Sequence, residues 1–249
     1  MAATPFVFRD VKLLYNEYDL SGDHNSMTLG VSRTELENTV FGDVGVRRLA
    51  GMQSMEFSHS GFYSTATTTD VDPLLFAGVG TADTLLTVLP DGTAEGDVAY
   101  FTKAVEFEYA PLGSVNEVTP FTANALSQGE KVVRGNLMNF STETGAGNST
   151  GVQYGLVGAT QSLYAMLHVT AYTGAGSGLD VTIYSDDNSG FSSEVLRGTF
   201  TTATDVTSQW LTPVAGAIAD DDYWRAKWTA DLDSVTFAVS MGIMTTVAV

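Results

Sequence analysis

Apolar and polar residues alternate with a period of two along much of this chain. In GMQSMEFSHSGFYSTA (51–66), Met55, Phe57, His59 and Tyr63 fall on one side and Glu56, Ser58 and Ser60 on the other. That is the pattern of a long half-buried strand. FVFRDVKLLYNEYDL (6–20) reads as a strand that stops at the turn SGD, and NSMTLGVS (25–32) as a second strand. TLLTVL (84–89), the turn PDGTAEGD and VAYFTKAVEFEYAP (98–111) predict a hairpin, and KVVRGNLMNFS (131–141) a further strand. Helical signal is confined to DVDPLLFAGVG (70–80). There Asp72 suits an N-cap, Pro73 the first helical position, and Gly78 or Gly80 the C-terminus.

STETGAGNSTG (141–151) lacks any large apolar residue and reads as a Gly-rich loop or linker. It divides a β domain over 1–140 from a second β region over 152–249. In the latter, LYAMLHVTAY, LDVTIYS, VLRGTFT, YWRAKWTA and VTFAVSMGI recur like sandwich strands. The fold class is therefore mainly all-β, with one short helix and a C-terminal β-sandwich-like region.

Charge changes the picture. Asp and Glu number 29 against 11 Lys and Arg, a net charge of −18. Such a surface repels phosphate backbones and disfavours anionic membrane surfaces, which argues against tight binding to nucleic acid as the function. The chain has no cysteine, so disulfides and thiolate metal sites are excluded. MAATPFVFRD shows no basic region followed by a long apolar one, and no uncharged apolar run approaches the ~18 residues of a spanning helix. The expectation is a soluble protein made in a cytoplasm.

Chemical motifs are sparse. DLSGDHN (19–25) and SDDNSG look like pieces of oxygen-rich loops, but an EF-hand needs ligands at alternate positions, glycine at the sixth and glutamate at the twelfth. DLSGDHNSMTLG places Ser21, His24 and Gly30 at the third, sixth and twelfth positions, and tight turns alone ask for Asp, Asn, Ser and Gly. His24, His59 and His168 are far apart in sequence and form no ligand-spaced pair, so no metal is assigned. Asp23 and His24, as neighbours on a strand, would point to opposite faces, and Asp220, Asp221 and Asp222 read as a solvated turn. Without a nucleophile elbow, P-loop or Rossmann glycine signature, the chain does not read as an enzyme, and no cofactor is implied. A glycan-binding alternative rests on Trp210, Trp224 and Trp228. Trp224, Ala226 and Trp228 would share one strand face and Tyr223, Arg225 and Lys227 the other, one of which belongs to the core.

Several motifs resemble the tail tube (major tail) proteins of long-tailed bacteriophages. They are D-L-S-G-x-x-N-S (Asp19–Ser26), T-x-F-G-D (Thr39–Asp43), G-x-x-S-x-x-x-S-x-x-G-F (Gly51–Phe62), the short helix Asp72–Gly80 and VVRGNLM (132–138). LHVTAY, IYSDDNSGF and YWRAKW are similar to segments of the same sort of phage structural protein. The resemblance implies a tail-tube-type β-sandwich or half-barrel whose subunits close into rings stacked along a virion tail. The implied partners are further copies of the chain, a tape-measure protein, and tail-tip or terminator proteins, while DNA passes through without specific binding. DLSGDHN and RTELENTVFGDVGVRR become contact elements between rings and subunits, with Asp19, Asp23, Asn25, Asp43, Arg47 and Arg48 as candidate assembly residues. Arg47 and Arg48 are expected to pair with acidic groups on a neighbour. On this reading the region 152–249 is a decoration domain, a second tube-like unit, or part of one continuous fold. The rival class is another virion component, either a head decoration protein or a glycan-binding tail accessory.

Overall fold

The computed structural model describes residues 10–114, 116–174, 176–231 and 233–245. In chain order the strands are β1 (Lys12–Tyr15), β2 (Tyr18–Asp19), β3 (His24–Glu37), β4 (Arg48–Phe62), β5 (Thr84–Leu89) and β6 (Val98–Pro111). They continue as β7 (Pro120–Ser127), β8 (Val133–Glu143), β9 (Gly147–Asn148), β10 (Val152–Gln153), β11 (Gln161–Thr173) and β12 (Gly178–Asp186). The last are β13 (Val195–Thr199), β14 (Thr207–Trp210), β15 (Val214–Ala215), β16 (Tyr223–Asp231) and β17 (Ser234–Thr245). Among the described residues α1 (Val71–Gly78) is the only α-helix. The fold is mainly β, as the alternating pattern predicts.

Contacts divide the chain into two compact units, and the division does not follow the Gly-rich run. One unit draws on residues 10–21, 85–101 and 133–245, the other on 22–84 and 102–132. The Gly-rich run expected as a linker at 141–151 lies inside the first of these units. β8 runs to Glu143, Gly147 and Asn148 pair with β16, and Ser149 is buried with its Oγ accepting the Ala226 amide at 2.9 Å. Long-range pairing of β8 with β17 ties this segment to the end of the chain, which composition cannot show.

In the first unit, a sheet path runs β14-β11-β17-β8-β6-β5-β1-β2, entered by the start of β6 (Val98–Phe101). A five-stranded sheet, β10-β16-β12-β13 with β9 beside β16, lies against it. Between them sit Leu163, Leu167, Phe237 and Met241 from one sheet and Val181, Ile183, Trp224 and Trp228 from the other. The opposite face of the first sheet carries a second core of Leu14, Leu89, Phe101, Leu137, Tyr164 and Met166. β11 is consequently buried on both faces from Ser162 to Val169, so its sequence shows a continuous apolar run where a half-buried strand would alternate. The segment read as one strand over 6–20 instead turns at Asn16 (φ +51°) to make the β1–β2 hairpin, and its residues 6–9 lie outside the described residues.

In the second unit, β3, β4, β7 and the later part of β6 (Ala104–Pro111) form an antiparallel sheet in that order. The faces follow from register. Met27, His59, Ala123 and Tyr109 are cross-strand partners on one face, as are Leu29, Phe57, Ala125 and Glu106. Phe57, Ala123 and Ala125 are buried there, as are Val71 and Leu75 of α1. Asp70, rather than Asp72, is the N-cap, and Pro73 occupies the third helical position, where its missing N–H is still harmless. Asp70 turns its carboxylate back to the Thr67 amide (3.0 Å) and hydroxyl (2.7 Å), which fixes the turn leading into the helix.

Candidate assembly surface

β3 and β4 pair from His24–Gly61 to Glu37–Arg48. Fourteen residues of extended chain make β3 about 45 Å long. Only its root belongs to a core. From Gly30 to Ala50 nearly every residue is exposed on both sides, and at the tip Phe41 and Val44 are 110% and 109% exposed. Val40, Val46, Leu36, Leu49 and Met52 are exposed as well. The contact element expected over 33–48 thus ends in an apolar tip, which the candidate residues Asp43, Arg47 and Arg48 do not include. The signal was present, because VFGDVGV places four large apolar residues in a segment without a core-facing period.

The tip is ordered from within. Asn38 N–H donates to the Arg47 carbonyl (3.1 Å), Arg47 N–H to Thr39 Oγ1 (3.0 Å), and Val40 N–H to Asp43 Oδ2 (3.0 Å). The two arginines reserved for a neighbour are engaged inside the chain. Arg47 pairs with Asp43 at 3.2 Å and Arg48 with Glu35. Both guanidinium side chains are over 60% exposed, so these pairs add at most about 1 kcal/mol each and leave the arginines free to exchange partners.

The other candidates are scattered. Asp19 accepts Lys12 Nζ at 2.8 Å and the Ser21 amide at 3.0 Å, so the opening of DLSGDHN is a local turn closed by its own aspartate. Asn25 Oδ1 accepts the Ser60 hydroxyl at 3.2 Å. The Asp23 carboxyl is pushed up by burial and then by the Asp70 charge. Trp224 and Trp228 are buried, which removes them as stacking platforms for a sugar. Trp210 is half-buried against Phe101 and Tyr164.

The exposed face of the second unit's sheet is polar by register. Thr28, Ser58, Asn124 and Glu108 lie side by side across the strands, flanked by Ser26, Ser60 and Thr122, and Glu56 pairs between Gly30 and Leu126. Ser58 Oγ donates to Asn124 Oδ1 (2.6 Å), whose Nδ2 donates to Glu108 Oε2 (2.8 Å). None of these positions carries a cation. At the margins of the sheet, β3 pairs only with β4 among the described residues, and β6 beyond Ala104 takes on its outer side a single parallel bridge between Val79 and Glu106. Phe76, Val79 and Phe107 are exposed near that margin.

Two histidines judged far apart in sequence meet at the hairpin root. His24 Nε2 lies 2.7 Å from His59 Nδ1, and the rings stack at 4.9 Å. Gly61 is required beside them, since a Cβ there would stand 1.9 Å from the Asp23 carbonyl. His59 Nε2 is 3.6 Å from Glu106 Oε1, and both residues are buried. Among the described residues no three His, Cys, Asp or Glu converge as a metal site.

No protein-family model matches the chain, and no curated protein does. Several solved structures are similar to it. The tail of an empty gene transfer agent particle is 18% identical, with 47% of this chain and 92% of that one covered at a TM-score of 0.37. The sheath–tube complex of an extracellular contractile injection system is 11% identical, covering 53% and 92% at 0.42. The Dit protein of phage SPP1, a hub of the adsorption apparatus, is 13% identical, covering 95% and 100% at 0.36. The chain is thus similar to components of tails and injection machines.

Proposed function

We propose that this chain is a non-enzymatic structural subunit of a virion tail that associates with copies of itself into stacked rings, forming a tube through which DNA passes. The observation that carries the reading is the β3–β4 hairpin. It places Phe41 and Val44 in water at the end of a long two-stranded arm, a costly exposure for a monomer and a useful one for a subunit. The open margins of β3 and β6 supply the second requirement. Unpaired strand edges invite pairing between chains, and joining one edge to a different edge gives head-to-tail association, which closes into rings or continues as filaments. The motifs that resemble those of tail tube proteins favour a tail tube as the assembly.

On this reading the Ser, Thr, Asn and Glu face of the second unit's sheet lines the lumen. Glu56 and Glu108 keep it negative, so duplex DNA is repelled over a Debye length of about 8 Å at physiological salt. Tape-measure and terminator proteins are the further partners this reading requires. The rival reading as a glycan-binding accessory is left with the half-buried Trp210, because Trp224 and Trp228 are buried. Negative-stain electron microscopy of the purified chain across a concentration series tests the proposal. Hollow tubes or stacked rings are expected, and a protein that stays monomeric at every concentration counts against it.

A further inference from the structure

Glu106 is the least comfortable residue in the second unit. It is 0% exposed, and neither carboxylate oxygen has a hydrogen-bond partner among the described residues. It stands at a bulge in β6, where Phe107 is the extra residue, and its own carbonyl is occupied by the Gly80 amide at 2.8 Å. A bare carboxylate in such a place carries a desolvation cost of several kcal/mol unless a proton or a cation answers it. The groups available can be named. His59 reaches it from β4 at 3.6 Å, and His24 from β3 follows at 2.7 Å behind His59. Tyr109 of β6 is tied to Asp72 of α1 at 3.0 Å, while Asp23 and Asp70 add only further negative charge near the root. None of these is a lysine or arginine. Phe57 stacks on His59 at 4.9 Å and Phe121 meets both imidazoles edge-on, so the walls are apolar.

We propose that Glu106, His59 and His24 form a proton-binding lock at the root of the β3–β4 hairpin. The triad holds one proton more than a bare carboxylate beside two neutral imidazoles. With that proton on His59, the ring donates through Nε2 toward Glu106 and through Nδ1 to His24 Nε2, and no net charge is buried. With the proton on Glu106, the acid donates to His59 Nε2 and the triad is again neutral. Both forms satisfy the chain of contacts, and both tie β3, β4 and β6 together where the arm leaves the core. Loss of the proton leaves neutral rings that can still relay hydrogen bonds but a net negative charge buried between apolar walls, which weakens that tie. Well above pH 7 the unfolded chain keeps no such proton, with a carboxyl near ~4.3 and imidazoles near ~6.5. Folding therefore takes up a proton, and the lock is weakened as pH rises. This inference does not depend on the assembly reading, and it can be measured on the unassembled chain.

The test is carbon and nitrogen NMR at Glu106, His59 and His24 of the full chain at pH 7. An imidazolium at His59, or a protonated carboxyl at Glu106, is expected. An ionised carboxyl beside two neutral rings overturns the proposal. Urea unfolding between pH 7 and 9 gives an independent reading. The unfolding constant should rise with pH, approaching about tenfold per unit for one proton. Glu106→Gln, which is neutral at every pH, should abolish that rise, and an unchanged slope in this variant overturns the lock. Should that variant fail to fold, the NMR result on the native chain decides alone.

Discussion

His168 on β11 and Thr87 on β5 meet across the first unit, the Thr87 Oγ1 lying 2.8 Å from His168 Nε2. The two strands stand several places apart in the sheet path, so the contact records how far that path curls. The other ring nitrogen, Nδ1, donates to the Asn16 carbonyl at 2.5 Å. That bond fixes the tautomer, leaves Nε2 as an acceptor, and makes Thr87 the donor. Burial holds the His168 ring well below its usual value, to about 4, against the opposing pull of the Asn16 carbonyl. Between roughly pH 4 and 6.5 the unfolded chain binds a proton that the folded ring refuses. Stability from this residue is complete above about pH 6.5 and is lost as pH falls through the window, by about 3 kcal/mol in all. Urea titrations from pH 7 to 4 should show that decline. Thr87→Val, which leaves Nε2 without a donor, should cost about 1–3 kcal/mol at pH 7.

The Gly-rich run 141–151 contains two glycines with opposite demands. A Cβ on Gly147 would lie 2.7 Å from the indole atoms Cε2 and Cζ2 of Trp228, itself buried in the sandwich core. A Cβ on Gly145 would meet nothing within 4 Å. Gly147→Ala should therefore cost about 1–3 kcal/mol by overpacking, and Gly145→Ala should stay within about 0.5 kcal/mol of the native chain. Equal effects in the two variants, read from denaturant midpoints, would show that β9 is not seated on the indole.

These residues also show what the sequence could and could not convey. Alternation at Met55, Phe57 and His59 set out β4 and its buried face, and YWRAKW placed Trp224 and Trp228 on one side of β16. Local signals of this kind survive because each depends only on neighbouring residues. The unit boundary does not: β8 joins β17 across nearly a hundred residues, and no composition break marks it. Likewise Asp23–His24 reads as a polar turn until β3 pairs with β4 and brings His59 to it. The apolar tip is legible in VFGDVGV, whereas Arg47 and Arg48, scarce cations in so acidic a chain, bond within the arm.

The tip can be separated from the fold. Phe41 and Val44 touch no core, so Phe41→Ser with Val44→Ser should leave stability within about 0.5 kcal/mol of the native chain. The same change should abolish tubes or stacked rings in electron micrographs. A variant that still assembles would move the ring-to-ring contact elsewhere, to the margins of β3 and β6 or to the exposed Phe76 and Phe107.

The polar face allows a test of which side of the sheet meets DNA. Glu56 and Glu108 are exposed and lie on the same face as the Ser58–Asn124 pair. Glu56→Lys with Glu108→Lys replaces two negative charges by two positive ones on every subunit without touching a buried group. Native tubes should let duplex DNA pass unbound. Tubes of the double variant should retain it, and retention should fall steeply with salt, because each neutralised phosphate releases a condensed counterion. Retention that does not depend on salt would point to contacts other than phosphate pairing. Tubes of the variant that release DNA as freely as native ones would place this face away from the lumen, and the opposite, apolar face is already filled by Phe57, Phe121 and α1.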